Sequence, residues 1–67
     1  MNETQMKLIN VRDLILQHQN FLSVEQKQEI DLMLASTYWA IECRYMSKID
    51  YEVNKLCTHV NKLLFGE

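Results

Sequence analysis

One apolar stripe at helical spacing dominates the second half of the chain. Its members lie three or four residues apart, with a mean spacing of about 3.7 residues. They are Ile30, Leu34, Tyr38, Ile41, Tyr45, Ile49, Val53, Leu56, Val60 and Leu63. No glycine or proline interrupts this stretch. The pattern therefore predicts α-helix through residues 30–64 and an all-α fold.

Two capping boxes mark the starts of helices. Asn2 is followed three residues later by Gln5, and Ser23 is followed three residues later by Gln26. In each pair the first side chain can accept from an early backbone N–H while the second reaches back. We therefore expect helix 1 over about residues 3–20 and helix 2 from about residue 24, as antiparallel neighbours.

Two architectures follow from where helix 2 ends. In the first it continues to about residue 65, where Gly66 provides a left-handed cap, and the chain is an antiparallel helical hairpin. In the second the chain turns near Ser47, which forms a weaker capping box with Asp50, and the result is a three-helix bundle. We favour the hairpin because residues 44–50 contain no Gly, Asn or Pro. Either architecture makes residues 1–67 a single helical domain.

The apolar content around the middle of the chain exceeds what one short helix can cover. Twelve of the seventeen residues from 30 to 46 are apolar, and a second stripe runs beside the first at Leu32, Ala35, Trp39, Cys43 and Met46. A chain of 67 residues has only a marginal core of its own. We therefore predict a homodimer.

Charge and hydropathy argue against nucleic-acid and membrane partners. The formal charge is −2, and the seven basic residues are scattered without a cluster. The longest apolar runs are four residues, far short of a membrane span, and the polar segment 1–5 does not read as a signal peptide. With Cys43 and Cys57 expected to be reduced thiols, we predict a cytoplasmic protein.

No residue pattern predicts catalysis, a cofactor or a metal site. His18 and His59 are the only histidines, and Cys57 and His59 are two residues apart, so a single helix points them in different directions. We expect His18 at the border of helix 1 and His59 facing solvent. The chain is predicted not to be an enzyme.

Aromatic and methionine side chains give the sharpest functional pattern. Trp, Tyr and Met are enriched at protein interfaces. The predicted partner-binding residues are Tyr38, Trp39, Met46, Met33 and Tyr51. The stripe residues predicted to form either a dimer surface or a core are Ile41, Tyr45, Ile49, Val53, Leu56, Val60 and Leu63. Acidic residues from Glu25 to Glu42 would orient a more basic partner, as in a small regulator, inhibitor or adaptor that presents a helix face.

The alternative is a small DNA-binding regulator of helix-turn-helix type. Such a protein needs exposed amide and basic side chains on a short recognition helix. The residues that could provide them surround the first turn: Gln17, Gln19, Asn20, Gln26, Lys27 and Gln28.

Overall fold

The computed structural model describes residues 2–66, which form three α-helices. The helices are α1 (Glu3–Gln17), α2 (Val24–Glu42) and α3 (Met46–Phe65), with a 3-10 turn at Gln19–Phe21 between the first two. These residues contain no β-strand. The predicted all-α class is confirmed. The predicted domain, 1–67, includes one residue at each end that lies outside the described range.

The predicted capping boxes both form. The Gln5 N–H donates to Asn2 Oδ1 at 2.8 Å, and the Asn2 N–H donates to Gln5 Oε1 at 3.1 Å. The Ser23 and Gln26 pair repeats this exchange at 3.1 and 2.9 Å. At the other end Gly66 adopts φ 74°, so the predicted left-handed cap of the last helix is confirmed.

The first helix is shorter than expected. We predicted an end near residue 20, but α1 ends at Gln17 and the chain tightens into the 3-10 turn, where the Phe21 N–H donates to the His18 carbonyl at 3.0 Å. His18 caps α1, as expected for the border of the helix. The turn directs Leu22 into the core and leaves Phe21 82% exposed.

The expected continuity of helix 2 from 24 to 65 is interrupted at residues 43–45. The Arg44 N–H donates to the Ile41 carbonyl at 3.0 Å, and the Tyr45 N–H donates to the Ala40 carbonyl at 3.1 Å. Arg44 has φ 55°. This is the Schellman motif, whose left-handed position is usually glycine, and here an arginine takes the glycine's place. The turn therefore forms without the Gly, Asn or Pro whose absence from residues 44–50 led us to favour a continuous helix.

The capping box expected at Ser47 does not form. Tyr45 is the N-cap of α3, and it makes no side-chain capping hydrogen bond. The Asp50 carboxylate instead accepts a hydrogen bond from the Thr4 hydroxyl of α1 at 2.6 Å. Asp50 thus joins two helices rather than capping its own.

The third helix is central to the packing. It packs against both α1 and α2, whereas α1 and α2 make few contacts with each other. The core consists of Val11, Leu22, Ile30, Leu56 and Val60, with Leu8, Ile15, Met33, Leu34, Cys57, Leu63 and Leu64 packed around it. Because α3 covers only one side of α2, the opposite side of α2 is left open.

A buried carboxylate also lies in α3, where the sequence pattern gave no indication of one. Glu52 is 6% exposed, and its Oε1 lies 3.5 Å from the ammonium group of Lys48, which is partly exposed. A buried acid needs such a partner to offset the loss of hydration.

Candidate functional site

The side of α2 that faces away from the buried core forms a continuous exposed surface. We call it the outer face of α2, and its members are spaced by three or four residues at Gln28, Leu32, Ala35, Trp39 and Cys43. All five are exposed, with Leu32 at 73% and Trp39 at 56%. The opposite side of α2 buries Ile30, Thr37 and Ala40. The outer face is therefore apolar surface that the chain's own core does not use.

Acidic side chains flank the outer face on both sides. At the helical repeat, Asp31 and Glu42 lie along one edge, and Glu25 and Glu29 lie along the other. Lys27, the one base within α2, falls outside the face and its edges. The face thus combines an apolar centre with acidic side chains along two edges, and on the Glu29 side Lys55 and Lys62 of α3 lie across a groove.

Most of this negative charge is not neutralised by the residues that the structure describes. Among residues 2–66, Glu25, Asp31 and Glu42 have no cationic group within 4 Å. Glu29 alone has a neighbour of this kind, since its Oε1 lies 3.3 Å from His59 Nε2. Three carboxylates are therefore available to a cationic partner.

The turn from α2 to α3 continues the exposed surface. Tyr45 and Met46 follow the outer face directly, and they are 58% and 63% exposed. Arg44 is exposed beside them in its left-handed conformation. The α2–α3 corner therefore exposes an aromatic and a thioether side chain, and Met46 also lines a pocket with Ile41 and with Leu8 of α1.

The predicted partner-binding residues do not all lie on one surface. Trp39 and Met46 are exposed on the outer face and the corner. Tyr38 points toward α1, where the Arg12 guanidinium lies 5.7 Å from its ring centre. Met33 packs against the core, and Tyr51 is exposed on α3. The structure therefore separates the five residues: Met33 and Tyr51 line a groove between α2 and α3, whereas Met46 lines a pocket with Ile41.

The predicted stripe divides between core and surface. Val53, Leu56 and Val60 are fully buried within the chain, Leu63 packs against the core, and Ile49 is half-buried. Ile41 and Tyr45 remain exposed near the corner. The intramolecular core thus takes up most of the stripe residues that could otherwise have formed a dimer surface.

Leu32, Ala35 and Cys43 belong to the exposed surface, although they were not among the predicted partner-binding residues. The signal that could have identified them is the second apolar stripe, which runs from position 32 to position 46. That stripe coincides with the outer face and the corner. The residue composition typical of protein interfaces does not identify Leu, Ala or Cys, so these three positions were missed.

A groove of about 620 Å³ lies between α2 and α3. Lys55, His59 and Lys62 of α3 line one wall, and Leu32 and Glu29 line the other. Contrary to expectation, His59 is mostly buried, and its Nε2 atom approaches Glu29 without a hydrogen bond of good geometry. This wall of α3 carries positive charge, in contrast to the acidic edges of α2.

The two cysteines occupy different environments. Both are free thiols, with Cys43 exposed and Cys57 half-buried. Burial raises the pKa of the Cys57 thiol, partly offset by the positive charge of Lys7. Cys57 Sγ lies 4.0 Å from the Lys7 carbonyl oxygen, to which it can donate a weak hydrogen bond. The less protected thiol is therefore the one on the outer face.

Two further findings bear on the other expectations. Across residues 2–66, no group of three or more His, Cys, Asp or Glu side chains is placed to hold a metal ion. None of the described helices combines the length and apolar character needed to cross a membrane.

Comparison of the chain with protein-family models, with curated proteins and with solved structures found no significant match. Support for a function therefore comes from the geometry and chemistry of the outer face.

Proposed function

We propose that the chain is a non-enzymatic protein–protein interaction module, such as a small regulator, inhibitor or adaptor, that presents the outer face of α2 to a partner protein. The observation that carries this proposal is the exposure of Leu32 and Trp39 on one helical face. Exposed apolar surface bounded by polar residues is typical of interaction sites. Trp is also the residue most often responsible for binding energy in such sites.

We also propose that the three-helix arrangement is the form that acts. It is supported by the Schellman motif at residues 40–45 and by the burial of Val53, Leu56 and Val60 against the other helices. The predicted homodimer depended on those residues being available between chains. A homodimer therefore belongs to the alternative arrangement, in which helix 2 is continuous and pairs with another copy of the chain.

A cytoplasmic location is part of the proposal, and it is supported by the free thiols of Cys43 and Cys57. The DNA-binding alternative has less support. Among residues 17–28, Lys27 is the single base, and Glu25 and Glu29 lie close to it in sequence. Repulsion from phosphates would oppose binding at that helix end.

The proposal is tested by comparing two aromatic truncations in affinity capture from cells. Trp39→Ala should remove at least one retained protein, because about 140 Å² of an indole of about 250 Å² is open to a partner. The expected loss of affinity is about 30-fold, or about 2 kcal/mol. Phe21→Ala is the matched control, because Phe21 is 82% exposed but lies at the α1–α2 connection.

Both variants should remain folded by circular dichroism, since neither side chain belongs to the buried core. A protein retained by the native chain and by Phe21→Ala, but not by Trp39→Ala, is the expected result. If every retained protein is held equally by all three chains, the outer face is not the binding surface. A shift of DNA mobility at low salt, abolished at high salt, would instead favour the alternative.

A further inference from the structure

The outer face of α2 has the shape of a helix-binding surface. Its members follow one straight row from residue 28 to residue 43, a length of about 22 Å at the helical rise. The row is convex, so it offers ridges and shallow grooves rather than a cleft for a small molecule. A second helix packs on such a surface by setting its own side chains between those of the first.

The charge of the face restricts which helix can pack there. Carboxylates lie on both edges, and Glu25, Asp31 and Glu42 have no ion-pair partner among the described residues. An acidic helix would place like charges against both edges, which is unfavourable. Two copies of α2 packed face to face would do the same, so charge opposes a symmetric dimer through this surface.

We infer that the outer face binds a cationic amphipathic helix of another protein, about 15 residues long. Its apolar side would cover Leu32 and Trp39, and its lysine or arginine side chains would meet the two acidic edges. This inference rests on the proposed function, because it names the partner of the same surface. It adds the partner's secondary structure and its sign of charge.

Trp39 reports directly on the test, because it is the only tryptophan in the chain. Three synthetic helices without Trp or Tyr are titrated onto the full chain: a Leu/Lys peptide, a Leu/Glu peptide and a Leu/Gln peptide with one shared apolar pattern. The Leu/Lys peptide should shift Trp39 emission to shorter wavelength, with a Kd of about 10 μM. Its affinity should fall several-fold between low and high salt, because the ion pairs are exposed.

The acidic edges are tested with two triple variants of equal net charge. Glu25→Gln, Asp31→Asn and Glu42→Gln together should weaken the Leu/Lys peptide about tenfold, since each exposed ion pair contributes modestly. The control carries Glu3→Gln, Asp13→Asn and Asp50→Asn, which lie on α1 and α3. The control should keep the native affinity, because net charge alone does not account for the binding.

Each outcome that differs from the expected one shows which part of the inference fails. If the Leu/Glu or Leu/Gln peptide binds as tightly as the Leu/Lys peptide, or if both triple variants weaken binding equally, the charge inference is refuted while the interaction surface stands. If no peptide binds but Trp39→Ala still loses its captured protein, the partner is not a cationic helix. If the solution mass doubles on concentration and the charge-neutralised α2 variant abolishes the doubling, the occupant is a second copy, whose basic wall on α3 meets the face. Failure of both the peptides and the capture experiment would remove the proposed function as well.

Discussion

Replacing Arg44 by glycine should change the free energy of unfolding in opposite directions for the two forms of helix 2, one with a turn at residues 43–45 and one continuous. In the Schellman turn Arg44 has φ 55°, and an L-residue with a Cβ pays about 1–2 kcal/mol for that conformation. Arg44→Gly removes this strain but costs about 0.5–1 kcal/mol through the greater freedom of glycine in the unfolded chain. The net expectation is a protein about 0.5–1 kcal/mol more stable.

The opposite sign follows if residues 24–65 form one continuous helix. A glycine inside a helix costs about 1 kcal/mol relative to a good helix former such as arginine. The Arg44 side chain is exposed and has no ion pair among residues 2–66, so its loss contributes little in either case. The two forms therefore differ by about 1.5–2 kcal/mol in the predicted effect.

Thermal unfolding followed by circular dichroism measures this effect. For a chain of this size, 1 kcal/mol corresponds to about 4–8 °C in Tm. Arg44→Gly should raise Tm by about 3–6 °C, and Arg44→Ala, which keeps the Cβ, should leave it nearly unchanged. Ala35→Gly is the matched control, because it places glycine within α2 and should lower Tm in both forms. A fall in Tm for Arg44→Gly equal to that for Ala35→Gly would refute the turn.

The remaining predictions concern Cys57 and Glu52 of α3. Burial raises the pKa of Cys57 above its ordinary value of 9.0, so iodoacetamide at pH 8 should modify Cys43 first. Mass spectrometry measures the two rates of modification, and equal rates would contradict the burial of Cys57. Because the pKa of Cys57 is raised in the folded chain, its contribution to the free energy of unfolding is constant below the ordinary pKa and is lost as the pH rises through the raised pKa. Urea titrations at pH 8 and pH 10 should show this loss for the native chain, and Cys57→Ala should abolish it. Lys48→Met should destabilise the chain by about 1 kcal/mol, because Glu52 is left buried without a partner. Glu52→Met should be neutral or stabilising. Urea unfolding measures both variants, and equal losses of stability would show that the ion pair itself stabilises α3.

Local chemistry accounts for the parts of the fold that the sequence predicts well. Asn2 and Ser23 lie at the N-caps as expected because a capping box involves residues three apart, whatever the rest of the chain does. Gly66 adopts the left-handed cap because it alone lacks the steric cost. A turn in this region was predicted only in the less favoured arrangement, near Ser47, because its stabilisation comes from elsewhere: packing of α3 against both other helices compensates for the strained Arg44.

The candidate site was less predictable for a related reason. Residues 30–46 carry two neighbouring apolar stripes, and periodicity alone does not say which of them turns inward. The stripe with Ile30 and Leu34 packs on the core, and the stripe with Leu32 and Trp39 faces solvent. That choice depends on which side α3 covers, and therefore on a turn that the favoured prediction, a continuous helix 2, did not contain.

The turn also links stability to binding, which gives a second use for Arg44→Gly. A partner that binds only one form has an apparent Kd equal to its intrinsic Kd divided by the fraction of that form. If the Leu/Lys helix binds the three-helix form, and that form already predominates, Arg44→Gly should change Kd by less than about 10% even though it raises Tm. If binding instead requires residues 43–45 to straighten, Arg44→Gly shifts the balance between the two forms by about 1.5–2 kcal/mol toward the turn and should weaken binding of the Leu/Lys helix by about 10- to 30-fold. Peptide titration of the two chains side by side separates these cases, and a weaker complex with a higher Tm would mean that the outer face acts through the continuous helix.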